Sequence, residues 1–385
     1  MQVTDDRQQT ADGRRQNLLF RFLISHFSFL IFFAGCGHTP VALEPVRTIE
    51  QWEAYRRQGL VPEQIDRVYC SGGTLRLVVY LDCADKVFCV DSHEKSGLKA
   101  YLVAHPEFCE LPIAGEASGR DNPELLLSQK TPPQLIIKAD TGAGYDPVEL
   151  TRRTGIPVLL IPMRDIMTSR DEFDAGLRLL GTALGKCDRA EEVIAFFDRE
   201  IAELRKRTEN TTGPKPLVYV GGVSYGGPHS FNSSEAGYPP FTLVGANHPL
   251  TGKANDPLLG NRHTMLAKEK ILEWNPEILF LDLGTLVLGT SSGLEELRAD
   301  PTYRSLTAVQ EGNIYTLLPN TYYFVNHDAV LANAWFVGSV LYPDRFSDIN
   351  PHKKADEIFT FLVGNPVFCE LDDALQNLAL RRISL

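Results

Sequence analysis

Short apolar runs recur along the chain at intervals filled by helical patterns, and this alternation constrains the fold more than any other feature of the sequence. In the first half of the chain the runs cover residues 67–70, 86–90, 135–137 and 157–162. Each run has the length of a strand and is almost continuously apolar, which is typical of strands buried on both faces of a parallel sheet. Strands that alternate with helices form βαβ units, so this half is predicted to be an α/β domain.

A second series of strands follows one extended helical pattern. Apolar residues recur at three- to four-residue spacing from Asp171 to about Thr208, which predicts one long helix, although Gly181 and Gly185 weaken its first half. Apolar runs then resume at residues 216–220, 278–281 and 313–318. The predicted fold class is therefore α/β, with two Rossmann-like lobes that contain parallel sheets and are joined by one long inter-lobe helix.

The first 35 residues have a different character. Arg14 and Arg15 precede an apolar run from Phe22 to Ala34, which is the arrangement of a secretory signal peptide. The run is shorter than the roughly 20 apolar residues that a membrane-spanning helix needs. It ends at Phe33-Ala34-Gly35-Cys36, which resembles the lipobox of bacterial lipoproteins. The resemblance implies that residues 1–35 are removed and that lipid on Cys36 anchors the exported protein to a membrane, facing the periplasm or the cell exterior.

The change from leader to lobes sets the predicted domain boundaries. A polar stretch that contains Pro40 and Pro45 follows Cys36 and has the composition of a spacer. The predicted divisions are a signal peptide (1–35), a lipidated tether (36–48), an N-terminal α/β lobe (49–168), a connecting helix (169–210) and a C-terminal α/β lobe (211–385).

Composition and motifs exclude several functions. The net charge is −11 and no basic stripe interrupts it, so nucleic acid is not an expected partner. The sequence contains no GxxxxGK[ST] or HExxH motif, which argues against a P-loop NTPase and a zincin protease. We therefore expect a protein that is not an enzyme and that carries no cofactor.

The predicted fold also locates the binding residues. Ligands bind at the carboxyl ends of strands in open α/β sheets, so two such edges that face each other predict a ligand cleft between the lobes. Glycines there let the backbone approach a ligand, while hydroxyl and imidazole groups supply adaptable donors. The candidates are Gly72, Gly73, Thr74, Asp91, Asp140 and Thr141 in the first lobe, and Ser224, Tyr225, His229, Ser230, Tyr238, Tyr322 and Tyr323 in the second. Residues 221–266 form an insertion beside this cleft, which is interpreted as functional or lid-like.

The cysteines and histidines give little support to a bound metal ion. No two cysteines form a CxxC pair, which disfavours a zinc or iron–sulfur site. In an exported protein some of the six cysteines after Cys36 could pair, and buried free thiols are the alternative. His93, His105 and His327 are interpreted as turn residues and not as metal ligands. The sequence does not identify a metal ion that the protein would bind directly.

Several segments together resemble a known family. They are the strand at 67–69 with its Gly-Gly loop, the helix–Pro–strand phrases at 122–140 and 267–284, and the stretches "LGTALGKCDRAEEV" and "SLTAVQEGNIYTLLP". In this order they resemble the substrate-binding proteins of ABC importers, and more narrowly the helical-backbone group that serves iron chelates, haem and vitamin B12. The resemblance covers roughly residues 65–385.

The resemblance implies a receptor with a small closing motion that captures a metal complex of the iron-siderophore, haem or corrinoid type. It also implies delivery to a permease whose ATPase subunits are separate proteins. Glu124 and Glu269 each stand at the start of a helix that precedes a Pro-strand phrase. By the same resemblance they would dock on arginines of the permease.

Two other functions stay open at this point. A metal oxyanion such as molybdate or tungstate could be held by hydroxyl and backbone N–H donors of the Gly/Ser loops. A chelatase- or nitrogenase-like metallocluster protein also pairs α/β lobes across a cleft, and Cys70, Cys89 and Cys109 would be its candidate ligands. Proteins of that second kind work in the cytoplasm, whereas the leader of this chain indicates export.

Overall fold

Two sheets rich in parallel strands organise the chain, as the alternation of apolar runs predicts. The computed structural model describes residues 43–211, 213–253 and 263–385. The predicted signal peptide, Cys36 and the first part of the tether lie outside the described residues. Within the described ranges, no helix is both long and apolar enough to cross a membrane.

The N-terminal sheet has six strands. They are β1 (Val68–Ser71), β2 (Val87–Asp91), β3 (Ile113–Glu116), β4 (Arg120–Asp121), β5 (Leu135–Ala139) and β6 (Val158–Ile161). Their order across the sheet is β4-β3-β2-β1-β5-β6, and every neighbouring pair is parallel except β3 with β4. All the carboxyl ends except that of β4 therefore point to one edge of the sheet.

The C-terminal sheet is smaller. Its strands are β7 (Val218–Gly221), β10 (Ile278–Asp282), β11 (Ile314–Leu317) and β12 (Arg382–Ile383), in the order β12-β11-β10-β7. Only β12 is antiparallel to its neighbour. The predicted insertion 221–266 contains an antiparallel ribbon of β8 (Ser233–Glu235) and β9 (His263–Met265).

Helices cover both sheets and fill the space between them. The α-helices are α1 (Ile49–Arg57), α2 (Leu75–Tyr80), α3 (Ala100–Ala104), α4 (Pro123–Ser128), α5 (Pro147–Thr154), α6 (Arg170–Leu184), α7 (Cys187–Thr208), α8 (Pro239–Val244), α9 (Lys268–Trp274), α10 (Gly293–Ala299), α11 (Thr307–Gln310), α12 (His327–Leu341), α13 (Pro351–Val363) and α14 (Phe368–Ala374).

The segment predicted as one inter-lobe helix is two helices. Gly185 takes a left-handed conformation with φ of 71° and ends α6, a conformation that glycine adopts more readily than any other residue. The two helices then pack against each other, and a Cβ at Gly181 would lie 2.8 Å from Cβ of Ala190 in α7. Helix α7 has 22 residues and packs against α8 and α12 of the C-terminal lobe. The glycines that weaken the helical pattern therefore mark a turn and a close contact between helices.

One hydrophobic core joins the two sheets. Side chains alternate across each strand, so Val68 and Cys70 of β1 enter the same core cluster as Val218 and Val220 of β7. Helix α12 supplies much of the material between them and is buried on all sides over its first three turns. The lobes are therefore not separate hydrophobic units.

Candidate functional site: a cavity between the two sheets

A cavity of about 790 Å³ lies between the lobes. Its wall comes mostly from loops that follow the carboxyl ends of parallel strands in both sheets. The lining residues are His93, Ser118, Met163 and Arg164 from the first lobe, and Ser224, Tyr225, Gly226, Gly227, Pro228, His263, Gly284, Val287, Thr321, Tyr322, Tyr323, Phe324, Val325 and His327 from the second. A cavity of this size suits a ligand with tens of heavy atoms.

Asp91 organises the wall on the side of the first lobe. It is the last residue of β2, and its Oδ1 accepts hydrogen bonds from the backbone N–H groups of His93 (3.0 Å) and Glu94 (3.2 Å). These bonds cap a short 3₁₀ helix, Ser92–Lys95, and place His93 at the cavity. Oδ2 accepts a further bond of 2.7 Å from the N–H of Gly72, in the loop after β1. One buried carboxyl group therefore fixes two neighbouring loops.

The aromatic segment 321–325 forms the wall on the side of the second lobe. Tyr323 and Phe324 both have positive φ, 50° and 71°, which costs about 1–3 kcal/mol for each residue that is not glycine. Tertiary contacts must offset this cost. The Tyr323 hydroxyl donates to Oδ2 of Asp91 over 2.5 Å and accepts a 3.0 Å bond from the N–H of Ser118.

The cavity wall is aromatic and carries little free charge. The rings of Tyr225 and His263 stack with centroids 4.3 Å apart, and the rings of His93 and Tyr323 lie 5.1 Å apart. The cationic side chain of Arg164 already pairs with Glu172, at 2.7 Å. A ligand in this cavity would therefore meet mainly rings and neutral polar groups.

Burial shifts the pKa values of the ionisable groups around the cavity toward their neutral forms. It lowers the pKa of His327 to about 3, so the imidazole is uncharged at neutral pH. Burial, and after it the carboxylate of Asp91, raises the pKa of the Tyr323 phenol, which stays protonated. Burial raises the pKa of Asp91 to about 7, with Glu94 as the next cause. Beneath the rings of Tyr322 and Tyr323, burial lowers the pKa of Lys99 to about 8.

Comparison with protein families identifies this arrangement. The sequence profile of periplasmic binding proteins matches residues 82–321, more than half of the chain. The chain belongs to the periplasmic binding protein family. Its members are the solute-binding components of ABC transporters and bind their ligands without transforming them. The predicted family is thereby confirmed, and membership implies an exported protein.

Solved structures share the fold of this binding protein at low sequence identity. The molybdate-bound protein MolA of Haemophilus influenzae is 16% identical over 79% of this chain and 94% of its own, with a TM-score of 0.61. The TroA-like protein FepB from Veillonella parvula is 18% identical over 79% of this chain and 93% of its own, with a TM-score of 0.59. The haem-binding protein HutB of Vibrio cholerae is 18% identical over 72% of this chain and 100% of its own, with a TM-score of 0.53. No curated protein sequence gives a significant match.

The predicted site residues of the binding protein fall into three groups. Four of them line the cavity: Ser224, Tyr225, Tyr322 and Tyr323. Three others lie directly behind the wall: Gly72, Gly73 and Asp91. Among these, Gly72 donates to Asp91, and a Cβ at Gly73 would lie 2.6 Å from the ring of Phe324.

The remaining candidates lie elsewhere, in places that the sequence pattern did not predict. Thr74 is buried and donates a 3.0 Å hydrogen bond to the carbonyl of Ile137. Asp140 forms an ion pair with Arg47, and the Thr141 hydroxyl accepts a hydrogen bond from the N–H of Ala143. His229 and Ser230 stabilise their own loop through the carbonyl of Tyr225 and the amide of Asn232. Tyr238 is fully buried against Phe241, because the short helix α8 folds it into the core.

Sequence reasoning missed several residues of the wall. His93 and His327 were interpreted as turn residues, and His93 does lie in a capped turn, but both reach the cavity. Ser118 and Met163 also follow β3 and β6 at the carboxyl edge of the first sheet. Position at the carboxyl edge of the sheet is the signal that predicts such residues, even in loops without glycine or tyrosine.

The structure gives no support to a metallocluster. Cys70 and Cys89 are buried within strands, and Cys109 is exposed. Burial raises the pKa of Cys89 to about 12, so this thiol is a poor metal ligand at neutral pH. Among the described residues, no group of three or more histidine, cysteine or acidic side chains could hold a metal ion.

The two predicted docking glutamates are on the surface. Glu124 is exposed in the first turn of α4 and pairs with Arg153 of α5. Glu269 is exposed in the first turn of α9. Their positions suit an external partner, and their role stays a prediction.

Proposed function

We propose that this binding protein captures a metal complex of the siderophore, haem or corrinoid class and delivers it to an ABC permease. The observation that carries the proposal is the cavity of about 790 Å³ with a wall of tyrosine, histidine and phenylalanine side chains. Aromatic rings offer flat apolar surfaces to a macrocycle or an aromatic chelator. Imidazole and phenol groups at the wall can hydrogen-bond to polar substituents of such a ligand or contact its metal.

The size of the cavity disfavours the oxyanion alternative. A tetrahedral oxyanion has four oxygen atoms, which occupy about 120 Å³ if each takes the roughly 30 Å³ of a water molecule in the liquid. That is a small part of the 790 Å³ between the lobes. A dianion would also need several unpaired donors or cations, whereas the guanidinium of Arg164 is bonded to Glu172.

We further propose that lipid on Cys36 anchors the mature protein to the membrane, with separate ATPase subunits driving transport. Glu124 and Glu269, one on each lobe, would contact the permease through arginines. Both carboxylates are exposed and lie at helix starts, where a partner can reach them without disturbing the core.

Identifying the native ligand tests this function. Protein purified from its native membrane would be analysed for metals and by optical spectroscopy. Purified protein freed of ligand would then be titrated calorimetrically with hemin, a ferric siderophore, cobalamin and molybdate. We expect binding of one of the three metal complexes, and a Tyr225→Ala substitution should weaken it by about tenfold, as loss of one aromatic contact worth about 1.4 kcal/mol would. Binding of molybdate alone would refute the proposal.

A further inference from the structure

Arg76 crosses the boundary between the lobes. It is completely buried in α2, yet its guanidinium bonds to the segment that follows β11 in the other lobe. Nη1 donates to the carbonyl of Val325 over 2.5 Å, and Nη2 donates to the carbonyl of Tyr323. Nε donates 3.0 Å to the carbonyl of Gly73 in its own lobe. The planar guanidinium thus joins the backbones of two loops that meet at the cavity.

Two glycines of the first lobe leave room for aromatic rings of the second. A Cβ at Gly97 would lie 2.1 Å from the ring of Tyr322, and a Cβ at Gly73 would lie 2.6 Å from the ring of Phe324. Contacts below 3.0 Å do not occur for real Cβ atoms, so any other residue would displace the ring. Both glycines also have positive φ, 83° and 87°, which other residues rarely adopt.

The side chains of segment 321–325 are held as well as its backbone. The Tyr323 hydroxyl bonds to Asp91 and to the N–H of Ser118. Below the rings of Tyr322 and Tyr323, the ammonium of Lys99 lies 5.5 and 5.7 Å from their centroids, within the range of a cation–π interaction. The strained residues of this segment are therefore fixed by the opposite lobe.

We propose that Arg76, Asp91, Gly73 and Gly97 are positioning residues, which hold segment 321–325 in its ligand-binding geometry before any ligand arrives. The inference rests on the proposed function, because it takes the aromatic residues of this segment as ligand contacts. A preformed aromatic wall spares the ligand the entropic cost of ordering the segment. It also implies that the base of the cleft stays closed while ligands enter and leave.

Hydrogen exchange of the ligand-free protein, purified in detergent from membranes, tests this inference without any assumption about the ligand. Arg76→Met should accelerate exchange in residues 321–326 by about tenfold, because it removes the charged hydrogen bonds to the carbonyls of Tyr323 and Val325. Arg189→Met is the matched control. Arg189 also bonds to two backbone carbonyls, those of Tyr80 and Phe361, but it lies away from the cavity.

A second pair of variants guards against global unfolding of Arg76→Met. Gly97→Ala and Gly155→Ala place a Cβ at the same kind of positive φ, 83° and 68°. A Cβ at Gly97 would meet the Tyr322 ring, whereas a Cβ at Gly155 would have no other side chain or backbone within 4 Å. Hemin is the probe for affinity. We expect Gly97→Ala to raise the hemin dissociation constant by about tenfold and Gly155→Ala to leave it unchanged, and melting curves check that both variants are folded.

The outcomes separate the two proposals. Faster exchange of residues 321–326 in Arg76→Met and Gly97→Ala, but not in Arg189→Met and Gly155→Ala, supports the positioning role even if the unaltered protein does not bind hemin. A protein that shows these exchange effects but does not bind hemin would contradict the proposed ligand class and leave the positioning role supported. Unchanged exchange of this segment in both Arg76→Met and Gly97→Ala would overturn the positioning role, whatever the hemin titration shows.

Discussion

The hydroxyl group of Tyr323 donates a 2.5 Å hydrogen bond to Oδ2 of Asp91. Tyr323 follows β11 of the C-terminal sheet and Asp91 ends β2 of the N-terminal sheet, so the bond joins the lobes at the base of the cavity. Asp91 is fully buried and Tyr323 is partly buried, and the same Oδ2 also accepts from the N–H of Gly72. Because buried acceptors need their partners, this contact contributes to stability as well as to the shape of the site.

Loss of this bond should destabilise the protein. Tyr323→Phe leaves the buried carboxyl group with one donor fewer, and we expect the free energy of unfolding to fall by about 1–3 kcal/mol. Urea denaturation followed by circular dichroism measures the change. Tyr322→Phe is the control, since the Tyr322 hydroxyl makes no hydrogen bond within the described part of the chain. Equal losses in the two variants would contradict this account.

The raised pKa of Asp91 predicts a pH dependence of stability. The pKa is 3.8 ordinarily and about 7 in the folded protein, so between these values the folded state holds a proton that the unfolded chain has released. The stabilisation from this proton is complete below about pH 4 and is lost as the pH rises to about 7. Asp91→Asn removes the effect. Unfolding at several pH values should therefore show the wild type losing stability relative to the variant across this range.

Comparison with the variant isolates the Asp91 contribution from other titrating groups. Burial also raises the pKa of Asp282 to about 7 and lowers that of His327 to about 3. Asp282 adds to the loss of stability as the pH rises, while His327 opposes it. Both residues are present in both proteins and cancel in the difference. If the difference in unfolding free energy between the wild type and Asp91→Asn stays constant from about pH 4 to 8, Asp91 is ionised throughout this range.

The strands were predictable from sequence because their signal is local. Residues 278–281 and 157–162 are nearly continuous apolar runs, and β10 and β6 form there within a residue or two. Arg76 shows the limit. It interrupts an apolar stretch and reads as a surface cation, but its partner Val325 lies 249 positions away. No local pattern reports that pairing, and the burial of Tyr238 by α8 is hidden in the same way.

His248 should make the protein sensitive to acid. Neither ring nitrogen has a hydrogen-bond partner among the described residues, and burial lowers the pKa from 6.5 to about 3. The stabilisation linked to the neutral ring is present above about pH 6.5 and is lost as the pH falls toward 3. His248→Leu should recover about 2–3 kcal/mol near pH 4.5, at about 1.4 kcal/mol for each pH unit. Near pH 7.5 the difference in unfolding free energy between variant and wild type reports the packing effect alone. An equal difference at pH 4.5 and pH 7.5 would show that His248 does not titrate in this range.

Cys36 provides a test of the proposed anchor. Cys36→Ser removes the thiol that would carry lipid, so the protein should move from the membrane fraction to the soluble extracytoplasmic fraction. Its melting temperature should not change if the anchor lies outside both lobes. Metabolic labelling with a radioactive fatty acid checks the modification directly, with Cys109→Ser, an exposed cysteine of the first lobe, as the control. Label on the Cys36→Ser protein would disprove lipidation at this residue.

Charge reversal at Glu124 and Glu269 tests the proposed contact with the permease. As acids in the first turns of α4 and α9 they contribute only about 0.3–1 kcal/mol each through the helix dipole, so the double reversal to lysine should leave ligand affinity unchanged. Uptake should nevertheless stop, because like charges would then face the permease arginines. Reversal of Glu50 and Glu370, exposed first-turn acids of α1 and α14, is the control and should not affect uptake. Arginine-to-glutamate changes on the permease should partly restore transport by the Glu124/Glu269 double variant. Uptake at the normal rate by that double variant with the unaltered permease would show that docking uses other residues.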